Sequence, residues 1–572
     1  MTAAQKKQGG ENVGGMKKFF MWIREQRERV WFSAAVNLLL LTLLLLLFGP
    51  SFETNDDAGI SNMISGVKGG YDAHLIYSNY LLGVILETLY RNIPLLPWYV
   101  LLQYALLFVS FTVITAVLIR RMKQTLPIWA AGILIVFFSY EGYIRVQYTK
   151  TAAILTVAGI LMMFYGLTRE KLRKTWIISG ILLACTGSLY RFQQFGAECA
   201  LMTGIGVSFL FWLGKQEKGK KLCRLGACVI SFGVLVAVSF GLYRWDRSLY
   251  QAEEWQEYME YNDARTELYD YGFPPYAEYK DKYKELGFNQ NAFQLLMQWN
   301  HMDTEKFTTE AMQEIAQWKT PRQFSLDTLK QFFKEFPLTF LDIPSFYCFL
   351  LVLLYWIFWG CHRRENVAVL LYEAAAAGMI YLFLFYMGRY LMNRVDSGIW
   401  LAVSLVVLWQ FPSGKCRLEN RAAGFLLLAF ICLFQNTWSD HWRVNTEKEA
   451  EKRLAEKMVL EEISSDTEHL YLAPVGNVSL TDSYGLWERA PYGILENLYS
   501  LGGWTAKSPL FMKTLEKFGI SNPFRDMIGN DDVYLITTDQ TKILKYIRRY
   551  YKQDAEAVKV RKLGKYTVYQ IR

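Results

Sequence analysis

The sequence predicts an α-helical polytopic membrane protein with about eleven transmembrane helices and a small α/β domain at its C-terminal end. Hydrophobic residues make up 52% of the 572 residues and cluster in two blocks, 31–243 and 344–435. Their apolar runs approach the ~20 residues that a helix needs to cross a ~30 Å hydrocarbon core. The segments 244–343 and 436–572 instead have the polarity of water-soluble sequence.

Each apolar run is assigned to one span. The first run, 31–49, is too long for the hydrophobic region of a signal peptide and lacks a small-residue cleavage site, so we expect an uncleaved first span. The predicted spans cover residues 31–49, 97–119, 127–143, 151–167, 175–190, 197–213, 224–243, 344–360, 366–387, 397–411 and 422–435.

The basic residues predict the orientation of these spans. With 1–30 as a cytoplasmic N-terminal tail, the cytoplasmic loops hold 24 lysines and arginines, and the short loops on the other side hold seven. This distribution follows the positive-inside rule. It predicts that residues 50–96, 244–343 and 436–572 all lie outside the cytoplasm.

The segment 76–92 has two interpretations. It can be a twelfth span, but this assignment would invert every later loop and move the basic clusters to the outside. We therefore predict an amphipathic helix that lies on the outer surface of the membrane.

The two polar segments differ in predicted structure. Residues 244–343 are rich in Tyr, Trp, Glu and Lys and are predicted to be mostly helical, whereas the pattern of 436–572 predicts a small α/β domain. None of the eight cysteines lies in either segment, so no disulfide is expected there. The predicted helices of the second segment are 446–463 and 541–551, and its predicted strands are 469–473, 532–537 and 566–571.

Two adjacent carboxylates, Asp56 and Asp57, follow the first predicted span in the sequence FETNDD. A carboxylate at this position can act as a general base toward a sugar hydroxyl or can bind a divalent cation. The alternative is a solvated acidic turn. Because consecutive side chains point in different directions on most backbones, we expect only one of the two to face a site.

Five basic residues at the outer ends of predicted spans run against the positive-inside bias. Charges at membrane depth are costly and often mark a function. Arginine and lysine bind phosphate oxygens well, so we expect these residues to converge on a lipid phosphate. The alternative is snorkelling, or pairing with Glu141 and Asp396. The five residues are Arg145, Lys150, Arg191, Arg389 and Arg394.

The membrane part of the chain, roughly 31–435, resembles the GT-C superfamily of membrane glycosyltransferases. The resemblance lies in the architecture: a cytoplasmic N-terminus, a first outer loop, 50–96, that opens with the acidic pair and contains a surface helix, and a soluble C-terminal domain outside. The segments QYTKTA (147–152) and NDARTELYDYG (262–272) are similar to bacterial members of uncharacterised specificity.

The resemblance implies an enzyme that takes a sugar from a polyprenyl-phosphate carrier and transfers it outside the cytoplasm to a glycan or glycolipid acceptor in cell-envelope polysaccharide biosynthesis. On this analogy Asp57 or Asp56 is the general base, and the five basic residues hold the lipid phosphate. A single displacement would invert the anomeric centre. The implied location is a bacterial cell membrane, with transmembrane blocks at 31–243 and 344–435. No residue is assigned to a metal, and the sequence leaves open whether Mg²⁺ or Mn²⁺ takes part.

Three other functions fit parts of the sequence. A polysaccharide polymerase or ligase shares the membrane setting and the cationic loops, but it gives no reason for the acidic pair. A transporter of lipid-linked sugars would more often show inverted repeats and midplane charges. A scaffold would use 436–572 to bind a partner. Nucleic acid is not an expected partner, because the net charge of +9 comes from short loops between apolar runs. The sequence does not identify the sugar or the acceptor.

Overall fold

The apolar runs of the sequence form helices that pack against one another in the computed structural model, which describes residues 29–122, 125–319, 325–358, 363–389, 392–411, 428–432 and 447–572. The described part of the chain is mostly helical, at 67%. The helices of the first apolar block are α1 (Val30–Leu47), α2 (Asn55–Ile64), α3 (Tyr80–Asn92), α4 (Trp98–Arg121), α5 (Thr125–Tyr143), α6 (Tyr148–Thr168), α7 (Lys174–Tyr190), α8 (Phe192–Gly214) and α9 (Lys218–Leu249).

The remaining helices belong to the polar segments and to the second apolar block. They are α10 (Glu253–Tyr269), α11 (Lys280–Glu285), α12 (Gln290–Met297), α13 (Thr309–Gln317), α14 (Leu326–Thr339), α15 (Pro344–Phe358), α16 (Arg364–Tyr386), α17 (Asn393–Trp409), α18 (Glu447–Ser465), α19 (Pro509–Lys517), α20 (Pro523–Asp526) and α21 (Thr541–Tyr550).

Six helices in the described part of the chain are long and apolar enough to cross a membrane, namely α1, α4, α6, α8, α9 and α16. Two shorter apolar helices, Ile128–Tyr143 and Pro344–Ile357, fall on further predicted spans. The predicted total of eleven stays a prediction. Most of the eleventh span, at 422–427 and 433–435, lies outside the described residues, as does 1–28 of the N-terminal tail.

Close packing of α6 against α7 depends on two glycines that face each other. A Cβ atom on Gly159 would lie 2.4 Å from the Gly180 carbonyl oxygen, and a Cβ on Gly180 would lie 2.5 Å from that of Gly159. Small residues at such a crossing let the two backbones approach closely. Close packing of this kind is what holds helices together in a bilayer, where there is no hydrophobic driving force between them.

The segment 76–92 contains the helix α3, which has 13 residues. At 1.5 Å per residue this helix is about 20 Å long, which is shorter than the ~30 Å of a hydrocarbon core. One face, with Leu82, Leu86 and Tyr90, is buried, and Val84 and Ile85 on another face are exposed. The structure therefore has a helix here that is shorter than a span, and its position on the membrane surface stays a prediction.

A five-stranded sheet lies near the C-terminus, where the sequence predicts a small α/β domain. Its strands are β3 (Leu470–Ala473), β4 (Leu498–Ser500), β5 (Val533–Thr537), β6 (Ala557–Leu563) and β7 (Tyr566–Ile571), and two short strands earlier in the chain, β1 (Ser51–Phe52) and β2 (Arg145–Val146), form a separate sheet. The strand order is β4-β3-β5-β7-β6, with parallel pairing of β3 to β4 and β5 and antiparallel pairing of β7 to β5 and β6. The three predicted strands are present, but the sequence analysis missed β4 and β6.

Residues 50–96, which the sequence predicts to be the first outer loop, pack against the C-terminal domain. The backbone amides of Gly493 and Leu495 donate to the carbonyl oxygens of Gly66 and Val67 at 3.0 and 2.8 Å. The ammonium group of Lys68 is buried and donates to the carbonyl oxygens of Leu495 and Leu498 at 3.0 and 2.5 Å. Burial lowers the pKa of Lys68 to about 7.

The polar segment between the two apolar blocks contacts the same C-terminal domain. The Met302 amide donates to the Leu501 carbonyl at 3.1 Å, and the Gly503 amide donates to the Trp299 carbonyl at 3.1 Å. A Cβ on Gly502 would lie 1.5 Å from that Trp299 oxygen, so the position requires glycine. Residues 50–96 and 244–343 therefore both pack against the C-terminal domain, and these three polar segments form one unit.

Candidate functional site

A two-stranded parallel sheet joins the loop that carries the acidic pair to the loop before α6. Its strands are β1 (Ser51–Phe52) and β2 (Arg145–Val146). The Ser51 amide donates to the Ile144 carbonyl at 3.0 Å, and the Glu53 amide donates to the Val146 carbonyl at 2.9 Å. These bonds fix the start of α2 beside the ends of α5 and α6.

Asp57 lies in the first turn of α2 and is fully buried, at 0% exposure. Its Oδ1 accepts hydrogen bonds from the Tyr99 hydroxyl at 2.8 Å and from the Gln103 amide at 3.1 Å. Its Oδ2 accepts from the Tyr148 backbone amide at 3.3 Å. Burial raises the pKa of Asp57 to about 7, although these three hydrogen bonds act in the opposite direction. Asp57 is thus a carboxyl group with both oxygens occupied by protein donors.

Asp56 points to a different side of α2, because successive residues of a helix are about 100° apart. Its side chain is 18% exposed, and its Oδ2 lies 3.4 Å from Nη1 of Arg394 at the start of α17. Of the two carboxylates, Asp56 is the one that a ligand can reach. This agrees with the expectation that only one of the adjacent side chains faces a site.

Arg145 and Lys150 belong to an ion-pair network beside the acidic pair. The Lys150 ammonium, 1% exposed, lies 2.5 Å from a carboxylate oxygen of Glu53 and 2.5 Å from one of Glu141. The Arg145 guanidinium lies 3.3 Å from Glu53 and 3.6 Å from Glu141. The Asn393 amide donates to the same two carboxylates at 2.9 and 3.3 Å. The network ties α5, α6 and α17 together at one end.

Arg191 is held by aromatic groups. It lies between α7 and α8, and its Nη1 donates to the Tyr148 hydroxyl at 3.1 Å. Its guanidinium carbon lies 5.3 Å from the centre of the Tyr77 ring. Arg191 also lines a cavity of about 150 Å³ together with Arg247, at the end of α9. Among the described residues, no carboxylate lies within ion-pair distance of either arginine.

The segment 262–272 meets the first outer loop at Tyr77. The buried Arg265 donates to the Tyr77 hydroxyl at 3.0 Å and to the Asn262 side-chain oxygen at 2.7 Å. Ile76, next to Tyr77, has a φ of 66°, and Trp299, whose ring lies 5.0 Å from Arg265, has a φ of 65°. Left-handed backbone is rare for non-glycine residues, above all β-branched ones, and often marks a functional region.

The five predicted phosphate-binding cations do not share one role in the structure. Arg145, Lys150 and Arg394 lie around the acidic pair and are paired with carboxylates, and Arg389 pairs with Asp270 of the polar segment. Arg191 is the member of the five without such a partner in the described part of the chain. The pairing with Glu141 that the sequence offered as an alternative is present, whereas Asp396 accepts a hydrogen bond from the Tyr381 hydroxyl instead.

The sequence analysis missed the residues that hold Asp57 and the second arginine of the smaller cavity. Tyr99 and Gln103 are four residues apart in an otherwise apolar run, and this spacing places two polar side chains on one helix face. That signal could have found them. Arg247 had no comparable signal, because it lies among the charges that end a long helix.

No metal-binding group is evident in the described residues: no three His, Cys, Asp or Glu side chains are placed to hold an ion together. No protein-family model matches the chain, and no curated protein matches it. The resemblance to GT-C enzymes therefore stays a prediction.

Proposed function

We propose that the protein is a multi-pass membrane glycosyltransferase that moves a sugar from a polyprenyl-phosphate carrier to a glycan or glycolipid acceptor outside the cytoplasm. The observation that carries the proposal is the position of Asp56. It is an accessible carboxylate beside a group of cations, at the ends of helices that are apolar enough to cross a membrane. A lipid carrier needs access from the bilayer and a glycan acceptor needs access from water, and such a position offers both.

The proposed reaction is a single inverting displacement. The acceptor hydroxyl oxygen forms a bond to the anomeric carbon while the bond from that carbon to the phosphate oxygen breaks. Asp56 takes the hydroxyl proton, and the polyprenyl phosphate leaves with the bonding electrons. A base must come within ~3 Å of the hydroxyl, and only the more accessible of the two aspartates is open to such an approach.

Arg191 and Arg247 are proposed to hold the leaving phosphate. Arg191 lies between α7 and α8 and Arg247 lies in the last turn of α9; both line one cavity, and neither has a carboxylate within ion-pair distance in the described chain. The carboxylates of Asp246 and Asp263 also line this cavity, but neither forms an ion pair with these arginines. The charges of Arg145 and Lys150, by contrast, are matched in ion pairs with Glu53 and Glu141. Fixed cations that face the departing phosphate stabilise the charge that develops there, which is typically a large part of the catalytic effect.

Contacts at the two ends of the helices support the proposed orientation in a bacterial cell membrane, with a cytoplasmic N-terminus. The acidic pair and the three polar segments lie at one end. At the other end, the basic residues Arg121 and Arg224 donate to the carbonyl oxygens of Trp409 and Leu167. A basic cytoplasmic end is what the positive-inside rule requires.

Native mass spectrometry of the protein, purified gently from its host membrane, tests the proposal. We expect a bound polyprenyl phosphate that carries one sugar, whose mass identifies the donor. A polyprenyl pyrophosphate with an oligosaccharide would instead indicate a polymerase, a ligase or a transporter. Recovery of bulk phospholipid alone would contradict the proposal.

A further inference from the structure

The cavity between the first outer loop and the C-terminal domain has a volume of about 410 Å³. It is bounded on one side by residues 49–65, on the other by α18 and residues 479–495, and at its base by the start of α4. This volume is within the range of small-molecule sites, ~300–1,000 Å³. The outer-loop and C-terminal walls of this cavity belong to parts of the chain that are more than 380 residues apart, so sequence analysis gave no sign of it.

Two buried hydroxyl groups in the wall have no hydrogen-bond partner in the structure. They are Oγ1 of Thr54 and the hydroxyl of Tyr484. Thr54 is the residue that precedes α2, yet its side chain does not cap the helix. Buried polar atoms are nearly always paired, because leaving one unpaired costs about 1–3 kcal/mol. Neither hydroxyl has a partner among the described residues, and a ligand with hydrogen-bonding groups of its own can supply one when the side chain rotates toward the cavity.

The charges of the wall favour an anionic ligand. The three wall glutamates are each paired with a cation outside the wall: Glu53 with Arg145 and Lys150, Glu456 with Lys565, and Glu488 with Lys457. The wall cations Lys452, Arg453 and Arg489 form no ion pair within the described chain, although Arg489 donates hydrogen bonds to backbone carbonyl oxygens. The matched glutamates and the three unmatched cations leave an excess of positive charge toward the cavity, which suits a carboxylate or phosphate group.

The cavity lies on the opposite face of α2 from Asp56. Asn55, Ala58 and Asn62 line it, and these positions share one face of the helix, whereas Asp56 points away from that face toward Arg394. The cavity is thus separate from the proposed transfer site but shares a helix with it.

We propose that this cavity binds an acidic oligosaccharide, namely the part of the acceptor glycan that is remote from the reacting hydroxyl. Hydroxyl-rich sugar rings satisfy Thr54 and Tyr484, and an acidic group on the glycan binds Lys452 and Arg453. The C-terminal domain thereby selects the acceptor. The role as acceptor site rests on the proposed glycosyltransferase function, whereas the binding of an acidic oligosaccharide does not.

Calorimetry with two trisaccharides tests the proposal on the purified full-length protein. The probes are trigalacturonate, which is acidic, and maltotriose, which is neutral and of equal length. We expect trigalacturonate to bind at least about tenfold more tightly than maltotriose, because one charge-assisted contact is worth that factor or more. Equal affinities, or no binding of either probe, would overturn the proposal.

Charge variants place the binding in the cavity. The double variant Lys452→Glu/Arg453→Glu is expected to weaken trigalacturonate binding at least about tenfold, and Tyr484→Phe, which removes one hydroxyl, is expected to weaken it severalfold. The matched control Lys545→Glu/Arg549→Glu makes the same charge change at two exposed positions of the same domain that do not line the cavity. Equal losses in the control and the double variant would assign the binding to general charge and overturn the site.

The same preparations separate failure of this inference from failure of the proposed function. A protein that co-purifies with a polyprenyl-phosphate sugar but does not bind trigalacturonate keeps its proposed function and loses this site. A protein that binds trigalacturonate through Lys452 and Arg453 but carries no such lipid keeps the site, and the role of the site in glycosyl transfer is then overturned.

Discussion

Asp56 and Asp57 are adjacent in sequence but have opposite environments. Asp56 is partly exposed and lies 3.4 Å from Arg394, whereas Asp57 is fully buried and accepts three hydrogen bonds from Tyr99, Gln103 and Tyr148. The two carboxylates are therefore expected to have different roles, with Asp56 in contact with substrate and Asp57 as a positioning residue for the start of α2.

Substitution of each aspartate by asparagine separates the two roles. Asp56→Asn keeps the shape of the side chain and removes the base, so we expect transfer to fall by about 10²-fold or more with an unchanged melting temperature. Asp57→Asn places an NH₂ group against one of three hydrogen-bond donors, so we expect a loss of about 1–3 kcal/mol in the free energy of unfolding. Transfer assays and thermal unfolding of both purified variants measure this difference. Full transfer activity of the Asp56→Asn variant would show that Asp56 is not the general base.

The raised pKa of Asp57 predicts how the stability of the protein depends on pH. The group titrates near pH 7 in the folded protein and near its ordinary value of 3.8 in the unfolded chain. Between these values the folded protein binds more protons, so this contribution to stability falls as the pH rises from about 4 to about 7 and is constant above that. The stability deficit of Asp57→Asn relative to the unsubstituted protein should therefore narrow over the same range.

Thermal unfolding at pH 5, 6, 7 and 8 measures this trend. Asp327→Asn is a suitable control, because Asp327 is exposed and its pair with Lys330 lies at the surface. The difference in stability between Asp327→Asn and the unsubstituted protein should be the same at all four pH values. A deficit of Asp57→Asn that is the same at all four pH values would contradict the assignment.

Arg191 and Arg145 should respond differently to truncation. Arg191→Ala removes a cation that has no carboxylate partner in the described chain, so donor affinity should fall about tenfold or more; loss of its hydrogen bond to Tyr148 should lower stability by only about 0.5–1.5 kcal/mol. Arg145→Ala leaves Glu53 and Glu141 with one cation fewer, so it should lower stability by about 1–3 kcal/mol. Donor binding and thermal unfolding of both variants test this. An unchanged donor affinity in Arg191→Ala would return that residue to a structural role.

The lowered pKa of Lys68 predicts a second effect of pH on stability, opposite in sign to that of Asp57. Its pKa is lowered by burial to about 7 in the folded protein, from an ordinary 10.5. The unfolded chain binds more protons between these values, so this contribution to stability rises as the pH increases from 7 to about 10.5. Lys68→Met should flatten part of that rise, and the exposed Lys513→Met should not. Unfolding curves at pH 7 to 10 measure how stability rises with pH in each variant. An equal rise in Lys68→Met and Lys513→Met would contradict the prediction.

Hydropathy and charge in the sequence were sufficient for the local features. Long apolar runs predicted α1, α4 and α6 because burial of an unbroken apolar helix is a property of the segment itself. Short segments rich in β-branched and aromatic residues predicted β5 and β7 in the same way. The strand β4 was missed because it has three residues, and β6 because its sequence, AVKVRKL, is rich in charge and lies at the sheet edge.

The sequence by itself determined that the chain has helices of membrane-spanning length, a polar C-terminal part with a small sheet, and an acidic pair that follows the first apolar helix. Only the tertiary structure decided which aspartate is accessible, which cations are already paired, and that residues 49–65 and 479–495 enclose a cavity. The physical reason is the distance along the chain between the residues that decide each feature. Helix formation and burial of a run depend on neighbours a few residues away, whereas the state of a charge depends on partners such as Arg394 for Asp56, which the chain brings together from more than 300 residues apart.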